Sequence, residues 1–257
     1  MKYFFNKNGP LISTYLLIAI GFWIIFLIII PQLYMFDLSF RPNIPPLLRG
    51  GPDDVYTFVH YKHFLFGSET SGESYNYVDV GVFLDTIITA ILVTLINLCF
   101  CYPIAFYIAK VASSNTARLL IVSLIIPFWI NELLRSFALR ILFAGEGFIN
   151  NVLIKLGLID SGINFIAMDV ALYTGLNYAY ILLMIFPLYN AIETLDKNQL
   201  EAAEDLGSSM IRTHLRIVIP HAKAGIASGC TMVFMLTAGA LATPVVLSSP
   251  IHFGSLN

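Results

Sequence analysis

An uncharged run from Gly9 to Phe36 limits the possible folds of this chain more than any single residue does. Its 28 residues contain no Asp, Glu, Lys or Arg. A helix of about 20 apolar residues crosses the roughly 30 Å hydrocarbon core of a bilayer, whereas the apolar core of a secretory signal has only about 7–15 residues. The run therefore predicts a retained membrane span rather than a cleaved leader.

The composition extends this conclusion to the whole chain. Of its 257 residues, 58% are hydrophobic and only 12% are charged, whereas soluble domains carry about 25% charged residues. The sequence predicts an all-α integral membrane protein in contact with the lipid bilayer. The formal net charge of -2 argues against nucleic acid as a partner, since nucleic-acid-binding domains have basic surfaces.

Five segments have the length and apolarity of a membrane span, or nearly so. Lys and Arg are enriched in cytoplasmic loops, and an orientation with the N-terminus in the cytoplasm puts eight of them inside and four outside. We therefore predict a cytoplasmic N-terminus and an external C-terminus. The predicted spans are Leu11 to Met35, Thr86 to Ala109, Leu119 to Phe143, Val170 to Ile192 and Ala224 to Ser248.

A polar stretch with charges of both signs, Glu193 to Lys223, separates the last two predicted spans. Either Asp196 or Asn198 fits the N-cap of a helix that ends at Gly207, because glycine enters the left-handed conformation without a Cβ penalty. Ser208 or Ser209 would cap a second helix, which Pro220 would end. The second helix would carry an apolar stripe formed by Ile211, Leu215, Val218 and Ile219. Two short helices that meet at a glycine have the shape of a docking element. The periodicity of the stretch alone fits a solvated loop equally well.

The same stretch contains Glu201-Ala202-Ala203, then three residues, Gly207, nine residues, and Ile217-x-Ile219-Pro220. This pattern resembles the EAA motif of ABC importer permeases, with Ile219 where leucine is common. The flanking sequences resemble the spermidine/putrescine branch of that family. They are Tyr102-Pro103-x-Ala105, Ala109-Lys110, Pro127-Phe128-Trp129 with Asn131 and Arg135, Pro187-Leu188-Tyr189 and Leu195-Asp196-Lys197.

The resemblance implies the transmembrane domain of a type I ABC importer in the bacterial inner membrane, importing polyamines delivered by a periplasmic binding protein. Residues 1–79 would form the first span and a periplasmic loop, and residues 80–257 the permease core. The family normally has six spans, so we expect this chain to lack the last one as a fragment or shortened form. The periplasmic loop reads as an interfacial cap, with substrate binding as the alternative.

In the family, the EAA loop docks on a cytosolic ATPase subunit. Residues 193–223, called the coupling segment below, would make this contact, with Glu201 as the polar contact and Gly207 setting the bend. The coupling-loop residues of the motif are Glu201, Ala202, Ala203, Gly207, Ile217 and Pro220. The chain has no G-x-x-x-x-G-K-[ST] sequence to hold ATP phosphates, so no cofactor is expected here and ATP would bind a separate ATPase pair. A second permease subunit would complete the membrane core.

The third predicted span contains Glu132, Arg135 and Arg140, and each charge costs roughly 2.5–3.5 kcal/mol at the centre of a span. Glu132 and Arg135 are three residues apart, which fits a neutralising pair on one helical face. The alternative is that Glu132, with Trp129, Asn131 and Arg135, lines a path for a cationic substrate. In a straight helix counted from Arg118, Glu132 would lie about 20 Å and Arg140 about 33 Å from the inner surface.

Other chemistry has weaker support in the sequence. The five histidines have no metal-ligand spacing, and no catalytic cluster is apparent, so we expect neither a metal site nor an enzyme active site. The alternatives to a polyamine permease are an ABC permease for another small solute, such as an iron complex or thiamine, and an ATP-independent carrier or channel. The EAA pattern argues against an ATP-independent carrier or channel.

Overall fold

The computed structural model describes residues 9–43, 45, 49, 51, 54–67 and 76–248, and secondary structure in this part of the chain is entirely helical. Contacts divide the chain into two compact units, Met1–Val80 and Gly81–Asn257. The N-terminal lysines Lys2 and Lys7 and the C-terminus, which was predicted to be external, lie outside the described residues.

The first unit contains α1, which runs without interruption through Pro10–Ile24, a π-helical turn at Ile25–Ile29, and Ile30–Ser39. It is apolar on all sides, as expected of a helix surrounded by lipid or by other membrane helices. Beyond it, Arg41 pairs with both Asp37 and Asp54, each at 2.7 Å. A short helix that the sequence did not predict, α2, follows at Val59–Phe66.

Eight further helices follow among the described residues, all in the second unit except for the first four residues of α3. In chain order they are α3 (Tyr77–Val111), α4 (Ser114–Ile125), α5 (Glu132–Leu142), α6 (Phe148–Lys155), α7 (Val170–Glu193), α8 (Lys197–Asp205), α9 (Met210–Ala238) and α10 (Ala242–Leu247). Helices α1, α3, α7 and α9 are each long and apolar enough to cross a membrane, and α4 and α5 together would make a fifth span. The first, second and fourth predicted spans are therefore confirmed as long apolar helices.

The core of this unit is the contact between α7 and α9, which is made close by small residues. A Cβ atom added to Gly225 would lie 2.5 Å from Cβ of Ala191 and against the carbonyl oxygen of Pro187, and one added to Gly229 would lie 2.9 Å from the Met184 sulfur. Small residues let helix backbones approach closely in membranes. The contact therefore depends on the lack of side chains at these positions.

The third predicted span is not one straight helix but a bent pair of helices. Residues Ser114 to Ile125 form α4, a 3₁₀ turn follows at Ile126–Trp129, and α5 then leaves at an angle of 93°. The Asn131 side chain caps α5 by accepting a hydrogen bond from the Leu133 amide at 2.9 Å, and Pro127 lies in the 3₁₀ turn. Heights counted along a straight helix therefore do not apply to Glu132 or Arg140.

The predicted bounds of the fifth span are also wrong. The helix starts at Met210, passes through Pro220 and ends at Ala238, after which α10 forms a separate helix. A π-helical turn at His214–Val218 precedes an α-helical segment that has Pro220 in its first turn. The Ile219 amide makes the last i→i−5 bond of this turn, to the His214 carbonyl, and Pro220, which has no N–H, follows directly where that pattern stops. Pro31 follows the π turn of α1 in the same way.

Polar side chains link the bundle where its backbone is irregular. The Arg140 guanidinium donates to the Val246 carbonyl, which ties α5 to α10. The fully buried amide of Asn150 donates to the carbonyls of Ala144 and Ile163 and accepts from the Ile163 amide, each at 2.9 Å. These bonds provide hydrogen-bond partners for backbone groups that lie outside the helices and so have no partner within a helix.

Candidate coupling site

The first helix of the coupling segment begins at a side-chain cap. The structure selects Asp196 of the two candidates, because its carboxylate accepts a hydrogen bond from the Asn198 amide at 3.0 Å. Such a cap satisfies one of the free N–H groups of the first helical turn, and a carboxylate also complements the positive end of the helix dipole. Helix α8 therefore starts at a defined residue.

The predicted stop at Gly207 is confirmed, two residues after the last helical residue Asp205. Gly207 has a φ of 73°. Its amide donates to the Glu204 carbonyl at 2.8 Å, and the Ser208 amide donates to the Ala203 carbonyl at 2.9 Å. This pair of bonds is the Schellman motif, which reverses the chain while satisfying the last helical carbonyls. The spacing between Ala203 and Gly207 in the EAA pattern thus has a geometric basis.

The second helix starts directly after this turn. Ser209 is its N-cap by backbone position, without a side-chain capping bond. The Thr213 hydroxyl, on the buried side of the helix, donates to the Ser208 hydroxyl at 3.1 Å and to the Ser209 carbonyl at 3.2 Å. These bonds hold the turn at Gly207 against the first residues of α9.

Two contacts hold the coupling segment against the bundle. The Lys110 ammonium, at the end of α3, donates to the carbonyls of Glu193 and Leu195. On α9, Nδ1 of His214 lies 2.7 Å from the Tyr102 hydroxyl, and the His214 ring is 4.4 Å from that of Phe106. The α3 residues Tyr102 and Lys110 belong to the flanking sequences quoted above, so those sequences supply the anchors of the segment.

The outer surface of the coupling segment is charged on α8 and apolar around the turn. Glu201 and Ala202 are exposed, while Ala203 is buried beneath them. Around the turn, four large apolar side chains point away from the bundle: Leu206, Met210, Ile211 and Leu215, which are 60% to 87% exposed. A single cluster of exposed apolar residues beside a charged helix is typical of a protein interaction surface.

The predicted apolar stripe of the second helix is partly wrong. Val218 is fully buried, but Ile211 and Leu215 are exposed, and Thr213 takes the inner position instead. The cause is the π-helical turn at His214–Val218. A π turn bonds residue i to residue i+5 and contains one extra residue. Successive inward-facing residues, Thr213 and Val218, are therefore five positions apart instead of three or four.

Removing the Lys110 charge should loosen the coupling segment without unfolding the bundle. In Lys110→Met, two backbone carbonyls lose a charged donor, and such a hydrogen bond contributes about 1.5–3 kcal/mol. We expect amide hydrogen exchange in residues 194–206 to accelerate about tenfold, while exchange within α7 stays unchanged. Lys155→Met, at the end of α6, is the matched control. Equal exchange in both variants would contradict the anchoring role.

The structure does not bring the predicted substrate-pathway residues together as expected. Trp129 is 85% exposed and precedes the bend, so it shares no helical face with Glu132. Glu132 and Arg135 form no ion pair within the described residues. Instead, Glu132 accepts a hydrogen bond from Thr243 at 3.1 Å, and the Arg135 guanidinium lies 5.2 Å from the centre of the Tyr178 ring. A pathway role for Trp129, Asn131, Glu132 and Arg135 stays a prediction.

Comparison with known proteins supplies the family. The spermidine/putrescine transport system permease protein PotB of Salmonella typhimurium is 34% identical over 239 residues, which cover 91% of this chain and 76% of that protein. PotB of Escherichia coli K12 is 34% identical over 230 residues, covering 87% and 76%. No protein-family model matches the chain.

A solved bacterial ABC transporter, which imports the acidic polysaccharide alginate, has a chain with the same fold. Its TM-score is 0.65 at 17% identity, with 96% of this chain and 80% of that chain covered. The shared fold, together with the sequence identity to PotB, identifies the chain as a permease subunit of an ABC importer. This chain belongs to the PotB family of spermidine/putrescine transport system permeases. It is a multi-pass protein of the bacterial inner membrane, and its relatives are transport permeases rather than enzymes.

Proposed function

We propose that the chain is the polyamine-translocating permease subunit of an ATP-driven importer and that residues 193–223 transmit the motion of an ATPase to the bundle. The relatives are spermidine/putrescine transport permeases, which favours these substrates over an iron complex or thiamine. The observation that supports coupling best is the construction of the segment: a capped helix presents Glu201 to solvent, and a Schellman turn with an apolar cluster follows it.

The proposed partners are a pair of cytosolic ATPase subunits, a second permease subunit and a periplasmic binding protein. Lys110 and His214 attach the coupling segment to α3, and α9 continues from it into the core without a break. A displacement of the segment would therefore move α9 and, through the Gly225 contact, α7. ATP would bind the partner subunits, and Ala203 and Ile217 would support the docking surface from below.

Replacing Glu201 should weaken ATPase docking while leaving the chain folded. The side chain is exposed and its loss leaves no cavity, so the thermal unfolding midpoint of Glu201→Ala should match that of the wild type. A charged contact at a protein interface commonly contributes 2 kcal/mol or more, so retention of the ATPase on affinity-purified chain should fall at least tenfold. Glu146→Ala, an exposed acid outside the segment, serves as the control. Full ATPase retention by Glu201→Ala would argue against Glu201 as the docking contact.

A further inference from the structure

The end of the bundle opposite the coupling segment contains a cavity of about 280 Å³. It is bounded by residues 82–89 of α3, the start of α7, the end of α9 and α10 with its flanking residues. Helix α7 separates Asp169 at this cavity from Glu193 at the coupling segment by 24 residues, which is about 36 Å at 1.5 Å per residue. The cavity is therefore distinct from the coupling site.

The lining of this cavity combines negative charge with an apolar surface. Asp85 and Asp169 contribute carboxylates, whereas no Lys, Arg or His is found among its described lining residues. Leu172 and Leu176 are buried, and Tyr173 lies beside them with its ring partly exposed. A site with two acids, an aromatic ring and aliphatic walls fits a cation attached to a hydrocarbon chain, because ammonium groups pair with carboxylates and with ring faces while the chain contacts the leucines.

A buried hydroxyl provides an independent indication of a ligand. Thr237 lines the same cavity, is only 5% exposed, and its hydroxyl oxygen has no hydrogen-bond partner among the described residues. Buried polar atoms are normally paired, and an unpaired one at a cavity wall calls for an explanation. A ligand N–H group in the cavity would provide the missing partner.

We propose that the cavity formed by Asp85, Asp169, Tyr173 and Thr237 binds one end of an alkylammonium solute. The choice of an amine over other cations rests on the proposed transport function as well as on the aliphatic walls. Its volume lies near the lower limit of the roughly 300–1,000 Å³ typical of small-molecule pockets, which suits a narrow linear amine. Asp85 is exposed and Asp169 is half-buried, so the two carboxylates would contact the solute at different depths within the cavity.

The test uses the full chain in lipid nanodiscs, with 1,4-diaminobutane as the probe and 1,4-butanediol as its neutral counterpart. Calorimetry should detect saturable binding of the diamine and none of the diol. Asp85→Asn and Asp169→Asn should each weaken diamine binding at least tenfold, equivalent to about 1.4 kcal/mol, and Thr237→Val should weaken it about threefold. Asp169→Glu should retain binding, because it keeps the charge.

Asp160→Asn, which removes an exposed acid from the connection between α6 and α7, should bind the diamine as the wild type does. The exposed Asp85 keeps the test decisive if Asp169→Asn fails to fold. The proposal is overturned if the wild-type chain shows no saturable diamine binding, if Asp85→Asn binds it normally, or if magnesium chloride binds at the same acids in preference to the diamine.

The outcome separates this site from the proposed function. If the chain binds no diamine but still retains the ATPase through Glu201, only the cavity proposal fails. If the chain binds the diamine but retains no ATPase, the cavity proposal stands and the proposed coupling is contradicted.

Discussion

Gly225→Leu is expected to destroy the contact between α7 and α9 and to give the largest loss of stability of any substitution considered. Even a Cβ atom at this position would lie 2.5 Å from Cβ of Ala191 and against the Pro187 carbonyl. Overpacking a well-packed contact typically costs about 1–3 kcal/mol, and here part of the obstacle is backbone, which cannot rotate away as a side chain does. The two helices must therefore separate.

The measurement is the yield of monodisperse protein after detergent extraction, together with its thermal unfolding midpoint. We expect little or no monodisperse Gly225→Leu protein. Gly81→Leu is the matched control, because Gly81 lies in α3 and nothing is within 4 Å of the position its Cβ would take. Equal yield and equal unfolding midpoints for the two variants would show that the close approach of α7 and α9 is dispensable.

Gly207→Val is expected to abolish coupling while leaving the bundle folded. Gly207 has a φ of 73°, and its surroundings are open to a side chain. The obstacle is therefore backbone conformation: the left-handed region costs an L-residue roughly 1–2 kcal/mol, and a β-branched side chain is a poor fit there. The turn would relax, and Glu201 and the apolar cluster would no longer keep their relative positions.

In the assembled transporter, ATP-dependent uptake by Gly207→Val should fall at least tenfold. Gly207→Asn should retain most of the uptake, because asparagine tolerates the left-handed conformation. Gly157→Val places the same strain after α6, where Gly157 has a φ of 69°, and should leave uptake unchanged. If Gly157→Val and Gly207→Val lost uptake equally, general destabilisation would explain the result better than coupling.

Local sequence signals predicted the first helix of the coupling segment and its turn better than they predicted the second helix. Gly207 was identified, and the N-cap was narrowed to Asp196 or Asn198, because caps and left-handed turns depend on a few neighbouring residues. The continuation of α9 through Pro220 was missed, since the preceding π turn leaves no clear sequence signal. That turn also displaced the apolar stripe, so Ile211 and Leu215 face outward despite their helical spacing.

The partners of charged groups in the bundle were the least predictable feature. Glu132 and Arg135 are three residues apart, and helical spacing alone favoured a pair. The bend before α5 and the position of α10 instead bring Thr243 to Glu132, while Arg135 reaches the Tyr178 ring on α7. These contacts join residues far apart in the chain, and helical periodicity contains no information about them.

By itself, the sequence determined that this is a helical membrane protein, which of its long segments are apolar enough to span, and where α8 ends. Those properties follow from the cost of burying charge in lipid and from short-range hydrogen bonding. Only the tertiary structure decided that α4 and α5 are separate helices and that Asp85, Asp169 and Thr237 line one cavity. Such groupings arise from packing between distant segments, which depends on the shapes of both surfaces at once.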